Sequence, residues 1–128
     1  MSNPTRRLAV LSASVAALAN GASTTGDTAQ IVKPDFPTLV THLTGEVISA
    51  GAVVDSPNVK INIKLGANRN KVVRADVPWR SLIGTARQPF ELPEPFELGA
   101  NEEAEVTFTN NQGAAIDAYV NLIGSRPA

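Results

Sequence analysis

Residues 59–65 alternate without a break: Val59, Ile61, Ile63 and Leu65 take one parity, and Lys60, Asn62 and Lys64 take the other. A two-residue period is the side-chain period of a β-strand, so the stretch predicts a strand with one buried and one solvated face. The pattern returns near the carboxy terminus. Residues 105–109 (EVTFT) alternate polar and apolar, and Ile116, Ala118, Val120 and Leu122 share one parity. A chain that repeats one-faced strands must stack them as sheets to bury the apolar sides. The expected fold is therefore all-β, an antiparallel β-sandwich that is jelly-roll-like, with a short N-terminal helix or arm.

Punctuation places the connections. Asn110, Asn111, Gln112, Gly113 and Ala114 read as a loop whose Asn and Gly residues tolerate the positive φ of a tight turn, so the two carboxy-terminal strands are expected to form one β-hairpin. Residues 66–70 (GANRN) are expected to turn residues 59–65 back into a partner carrying Val73, Ala75 and Val77, a second hairpin. Residues 39–48 read as a further strand. Pro34 and Pro37 bracket Phe36, whose ring is expected to plug an edge of the core. Pro89, Pro93 and Pro95 remove ladder donors, so residues 90–98 belong at a sheet edge or in a crossing between sheets. There the prolines also block pairing with other chains.

The amino terminus admits two descriptions. Arg6 and Arg7 followed by LAVLSASVAALA imitate a secretory signal peptide, but Ser12 and Ser14 interrupt the apolar run; a transmembrane span is not expected either, because the run falls short of the roughly 20 residues a bilayer needs. Alternatively, Leu8, Leu11, Val15 and Leu18 recur at helical spacings, the filling is rich in alanine, Thr5 is a candidate cap and Gly21 a natural stop. This predicts an amphipathic helix that docks on the sandwich or on copies of itself. Residues 1–30 are thus expected to be an arm or helix with its linker, and residues 31–128 a single β-sandwich domain.

Totals narrow the chemistry. The 128 residues contain no cysteine and one histidine, His42, so disulfides, thiolate metal sites and a histidine-rich metal site within one chain are excluded. The net charge of −1 gives no bulk attraction to nucleic acid or to an anionic membrane. Beneath that sum lies an asymmetry: residues 1–85 hold nine Lys or Arg against five Asp or Glu, and residues 86–128 hold two against seven. The two regions either pair between subunits or stay apart as solvated faces. There is no Walker-type glycine loop, no paired-histidine zinc motif and no G-x-S-x-G elbow. Glu91, Glu94 and Glu97 lie in a proline-rich extended segment with few aromatic groups near them in sequence, a poor setting for a glycosidase pair. The chain is therefore read as not an enzyme, with no cofactor, no metal and no catalytic residue.

The carboxy-terminal third carries a resemblance. A P-F-x-L-P-x-P-x-x-L lead-in (Pro89 to Leu98), a polar Ala100-Asn101 turn, a Val-Thr-Phe-Thr-Asn strand (Val106 to Asn110) and a closing strand ending in Leu122-Ile123-Gly124 resemble the small β-sandwich virion structural proteins of tailed bacteriophages. The resemblance implies a capsid decoration or minor capsid protein on the capsid surface. Its implied partners are copies of itself, as a symmetric oligomer and expected trimer, and the major capsid protein whose lattice it stabilises, with no nucleic acid and no membrane. Candidate contacts are Leu8, Leu11, Val15 and Leu18, then Trp79 with Arg80, and Asn110, Asn111 and Gln112 of the loop. Trp79 is expected first as a core filler and only second as an interface anchor, since it is the largest apolar unit in the chain. Two other roles stay open: a tail or baseplate subunit of the same particle, or a secreted carbohydrate- or ligand-binding module.

Overall fold

Alternation fixes which side chains face inward, and pairing then sorts the strands into sheets. The computed structural model describes residues 6–24, 29–55, 57–65, 70–71 and 77–127. Its strands are β1 (Arg6–Leu18), β2 (Gln30–Val32), β3 (Thr38–Ser49), β4 (Ala52–Val53), β5 (Val59–Leu65), β6 (Asn70–Lys71), β7 (Val77–Pro78), β8 (Phe90–Leu98), β9 (Ala104–Asn110) and β10 (Ile116–Pro127). One helical turn, α1 (Trp79–Leu82), follows β7. The first sheet runs β1-β10-β3, with β4 and β8 sharing the far side of β3. The second runs β2-β9-β5, with β6 and β7 sharing the far side of β5. Every pairing between these strands is antiparallel.

With β6 and β7 taken as one interrupted strand and β4 as a minor edge, eight positions remain. In chain order they run 1-8-3-6 in one sheet and 2-7-4-5 in the other. That interleaving is the two-Greek-key topology of a jelly roll. The alternate inward residues of both sheets meet between them: Val40, Leu43, Val47, Val120 and Leu122 from the first, Ile61, Ile63, Val106 and Phe108 from the second, all fully buried.

Trp79 fills one side of this space. It is fully buried and stacks on Phe108, with ring centroids 6.2 Å apart and planes at 28°. The ring rests on the first sheet at Gly45, where a Cβ would lie 3.0 Å from Trp79 Cζ2 and 3.1 Å from Ile83 Cγ2, and would also meet the Tyr119 carbonyl oxygen. A bare backbone at Gly45 is therefore what lets the indole bridge the two sheets. Gly45 N–H donates to the Gly84 carbonyl (3.1 Å), and Gly84 N–H donates to the Leu43 carbonyl (3.2 Å), so the segment after α1 covers the edge of β3 between β8 and β4.

Several expectations change. Residues 8–18 form no helix. They are most of β1, which pairs with β10 from Arg6↔Pro127 to Val15↔Ala118. Ala9 and Ala13 are buried and Leu11 and Val15 half-buried on one face, so the true pattern is Ala-Leu-Ala-Val at a period of two. Alanine fits either period, which let the larger residues imitate a helical stripe. Ala17, at φ +51°, lies in the register break between Val15 and Leu18, and the break turns Leu18 inward. The boundary expected at residue 30 thus falls within the sandwich: β1 lies in the first sheet and β2, beginning at Gln30, in the second.

The carboxy-terminal hairpin does not exist either. β9 and β10 present the expected buried faces, but β9 pairs with β2 and β5 while β10 pairs with β1 and β3, so the loop between them crosses from one sheet to the other. The expected second hairpin falls largely outside the described residues, although β6 and β7 at its flanks both pair with β5. Phe36 does not plug the core: its side chain is 52% exposed. The proline-rich segment is β8, at the sheet edge on the far side of β3. Its pairing is interrupted between Val40↔Phe96 and His42↔Glu91, opposite the stretch that contains Pro93 and Pro95.

Candidate interaction surface

The two long margins of the first sheet differ. β8, on one margin, carries Pro93 and Pro95 and exposes Glu91, Glu94 and Glu97. Both prolines and charges are devices that keep an edge from pairing. β1, on the other margin, has 13 residues, contains no proline, and carries charge only at Arg6 and Arg7. Among the described residues its sole ladder partner is β10, so its outer backbone edge is open.

The side chains along this margin are apolar at one end and small or hydroxylic further on. Leu8 is 74% exposed and Val10 50%, followed on the same face by Ser12 and Ser14. A cavity of about 300 Å³ runs beside residues 8–11 and is walled by Pro34, Asp35, Phe36, Thr38 and Arg126. The Arg126 guanidinium sits 4.8 Å from the Phe36 ring centroid, a cation–π contact that holds the exposed ring against the sandwich. Arg6 is fixed beside it, its Nε donating to Ser125 Oγ (2.7 Å) and its Nη2 to the Ser125 carbonyl (3.1 Å).

A polar ladder crosses the outer face inward from β1. Ser12 Oγ donates to Asn121 Oδ1 (2.6 Å), and Asn121 Nδ2 donates to Thr44 Oγ1 (3.3 Å). One step along, Tyr119 lies opposite Glu46. Burial, and then the hydrogen bond and negative charge of Glu46, raise the phenol above its ordinary value of 10.0, so Tyr119 is neutral at physiological pH. His42, half-buried on β3, shares a 2.8 Å hydrogen bond between its Nδ1 and Thr41 Oγ1. Among the described residues there is no group of three or more His, Cys, Asp or Glu side chains placed to hold a metal ion, and no helix long and apolar enough to cross a membrane.

The sequence-derived contact candidates separate in space. Leu8 is at the surface, Leu11 and Val15 lie half-buried at the open margin, and Leu18 is buried. Trp79 is in the core and offers no platform to a ligand or partner. Arg80 is half-buried and holds the chain together, its Nε donating to the Asp55 carbonyl and its Nη1 to the Ile83 carbonyl (3.4 Å). Asn110 is fully buried. Its Nδ2 donates to the Leu18 (2.9 Å) and Ala114 (2.8 Å) carbonyls, and its Oδ1 accepts from Gln112 N–H (2.8 Å). Gln112 Oε1 in turn accepts from Asn58 N–H (2.7 Å), and Asn111 N–H donates to the Asn58 carbonyl (2.9 Å). This loop is thus a junction that ties three crossings together at one end of the sandwich, with Asn111 alone of its three candidates fully at the surface.

Sequence reasoning missed Val10, Phe36 and Arg126 as surface groups. The signal for Val10 was available, since it alternates with Ala9 and Leu11. Nothing local announced that Arg126 would reach Phe36, because that contact depends on which strands become neighbours. By topology the chain is a jelly-roll β-sandwich with one margin guarded and one margin open. Compared with protein-family models, curated proteins and solved structures, the chain matches none.

Proposed function

We propose that this chain is a structural subunit of a tailed-bacteriophage virion, acting as a capsid decoration or minor capsid protein that stabilises the head lattice as a symmetric oligomer. The observation that carries the reading is the jelly-roll sandwich with a long unguarded strand at one margin. Such a body offers rigid faces and a ready-made line of backbone donors and acceptors, which suit assembly. The resemblance of residues 89–124 to small phage virion proteins supplies the particle. Fold by itself does not fix function, so the two observations are needed together.

The physical work is to cover junctions between capsid subunits. A stable interface buries about 1,200–2,000 Å² in total, and the exposed Leu8, Val10 and Phe36 at the open margin are suited to its apolar centre. Quantitative mass analysis of purified particles from the source tests the reading. Copy numbers that match the head lattice are expected. Copy numbers of a single ring would move the protein to the tail or baseplate, and absence from particles would remove the virion altogether.

A further inference from the structure

We propose that two copies of the chain join through their open β1 margins, antiparallel about a two-fold axis at Ser12, so that the first sheets of both copies become one continuous sheet.

The open edge demands a strand as its occupant. An edge strand leaves half of its N–H and C=O groups pointing outward, and only another extended backbone satisfies them in series. Proteins blunt such edges with proline, charge or brevity. Here β8 is blunted by proline and glutamate, and β2 is three residues long, whereas β1 has neither device after Arg7.

The side chains identify that strand as β1 itself. In an antiparallel pair, opposed residues must come from the same face, so the axis has to pass through a residue and not between two. An axis at Ser12 centres the pairing on the regular stretch from Ala9 to Val15, short of the register break that follows Val15. It sets Leu11 opposite Ala13 of the second copy, and Ala9 opposite Val15, so every inward pair joins one large and one small residue. An axis at Leu11 would oppose leucine to leucine and alanine to alanine. An axis at Ala13 would oppose Leu11 to Val15 and alanine to alanine. Of these three central registers, the one at Ser12 alternates volumes as a packed layer requires. Leu11 and Val15, half-buried in one copy, would become covered.

Beyond Val15 the register break, where the Asp117 carboxylate accepts the Ala17 N–H at 2.8 Å, ends the regular pairing. The cavity beside residues 8–11 faces residues 13–16 of the second copy, with Phe36 and Arg126 as its outer wall. Because an antiparallel self-pairing closes after two copies, the assembly is a dimer and not the trimer that the phage resemblance implies. The inference stands apart from the virion reading, since it concerns the purified chain wherever that chain works.

The test is the mass of the purified chain by analytical ultracentrifugation over a dilution series, with circular dichroism confirming that each variant is folded. The unsubstituted chain should sediment at twice the 13.4 kDa chain mass. Val10 and Ser14 are exposed, and each faces the other across the axis. The variant Val10→Lys/Ser14→Lys should therefore halve the mass, and Val10→Lys/Ser14→Glu should restore it. If the double-lysine variant unfolds, Ser12→Lys, which opposes its own counterpart at the axis, should give the same halving. A monomeric or trimeric unsubstituted chain, a folded lysine variant that keeps the doubled mass, or a Lys/Glu variant that remains halved would overturn the proposal.

Discussion

At the scale of single residues, two side chains report on the sandwich because each is unique in the chain. Trp79 is the only tryptophan and Tyr119 the only tyrosine. Gly45→Ala puts a methyl group against the Trp79 ring and the Tyr119 carbonyl. Overpacking of this kind costs about 1–3 kcal/mol. A lower melting temperature and a red-shifted tryptophan emission are expected, and unchanged emission would show that the indole does not rest on β3. Tyr119 gives a pH prediction. Its phenol is raised in the fold by burial first and by Glu46 second. The fold thus favours the neutral form: the contribution is complete below the ordinary value of 10.0 and is lost as pH climbs through the raised one. In Glu46→Gln the phenolate absorbance transition should move down toward the ordinary value and stop short of it, because burial remains. An unchanged titration would contradict the pairing of Glu46 with Tyr119.

At the scale of elements, β1 separates the sandwich seen in the structure from a sandwich preceded by an arm. Removing residues 1–18 takes away the strand that pairs with one side of β10, and with it the buried Ala9, Ala13 and Leu18. The truncated chain should lose cooperative melting, whereas removal of a detachable arm would leave the transition intact. The strands whose two faces differ in chemistry were legible in the sequence. Residues 59–65 gave β5, although Asn62, expected on the solvated face, is buried; residues 39–48 gave nearly all of β3; and the prolines restricted β8 to an edge or a crossing, of which the structure has the edge. The buried faces of β9 and β10 were also legible, but their neighbours were not. A parity pattern says which way a side chain points and nothing about which strand lies beside it. The five residues between β9 and β10 can close a hairpin or step between sheets. Here the Asn110 side chain, bonded to both the Leu18 and Ala114 carbonyls, holds the step. β1 itself was hidden by its alanines, which satisfy either period. The open margin could not be read locally, because an edge is defined by the strands that fail to arrive.

At the scale of the whole molecule, the asymmetry between the two margins connects fold to function. One margin is closed to pairing by proline and glutamate, and the other offers thirteen residues of backbone, an exposed leucine and valine, and an arginine-capped phenylalanine. The assembly proposed above uses the open margin alone, and an antiparallel self-pairing there closes after two copies and does not grow into a fibre. Residue-resolved hydrogen exchange across β1 tests this most directly. In the unsubstituted chain every amide from Ala9 to Val15 should be protected, because β10 holds one alternating set and the second copy holds the other. In Val10→Lys/Ser14→Lys the outward set alone should exchange fast. An outward set that already exchanges fast in the unsubstituted chain, with no further change in the variant, would contradict the account.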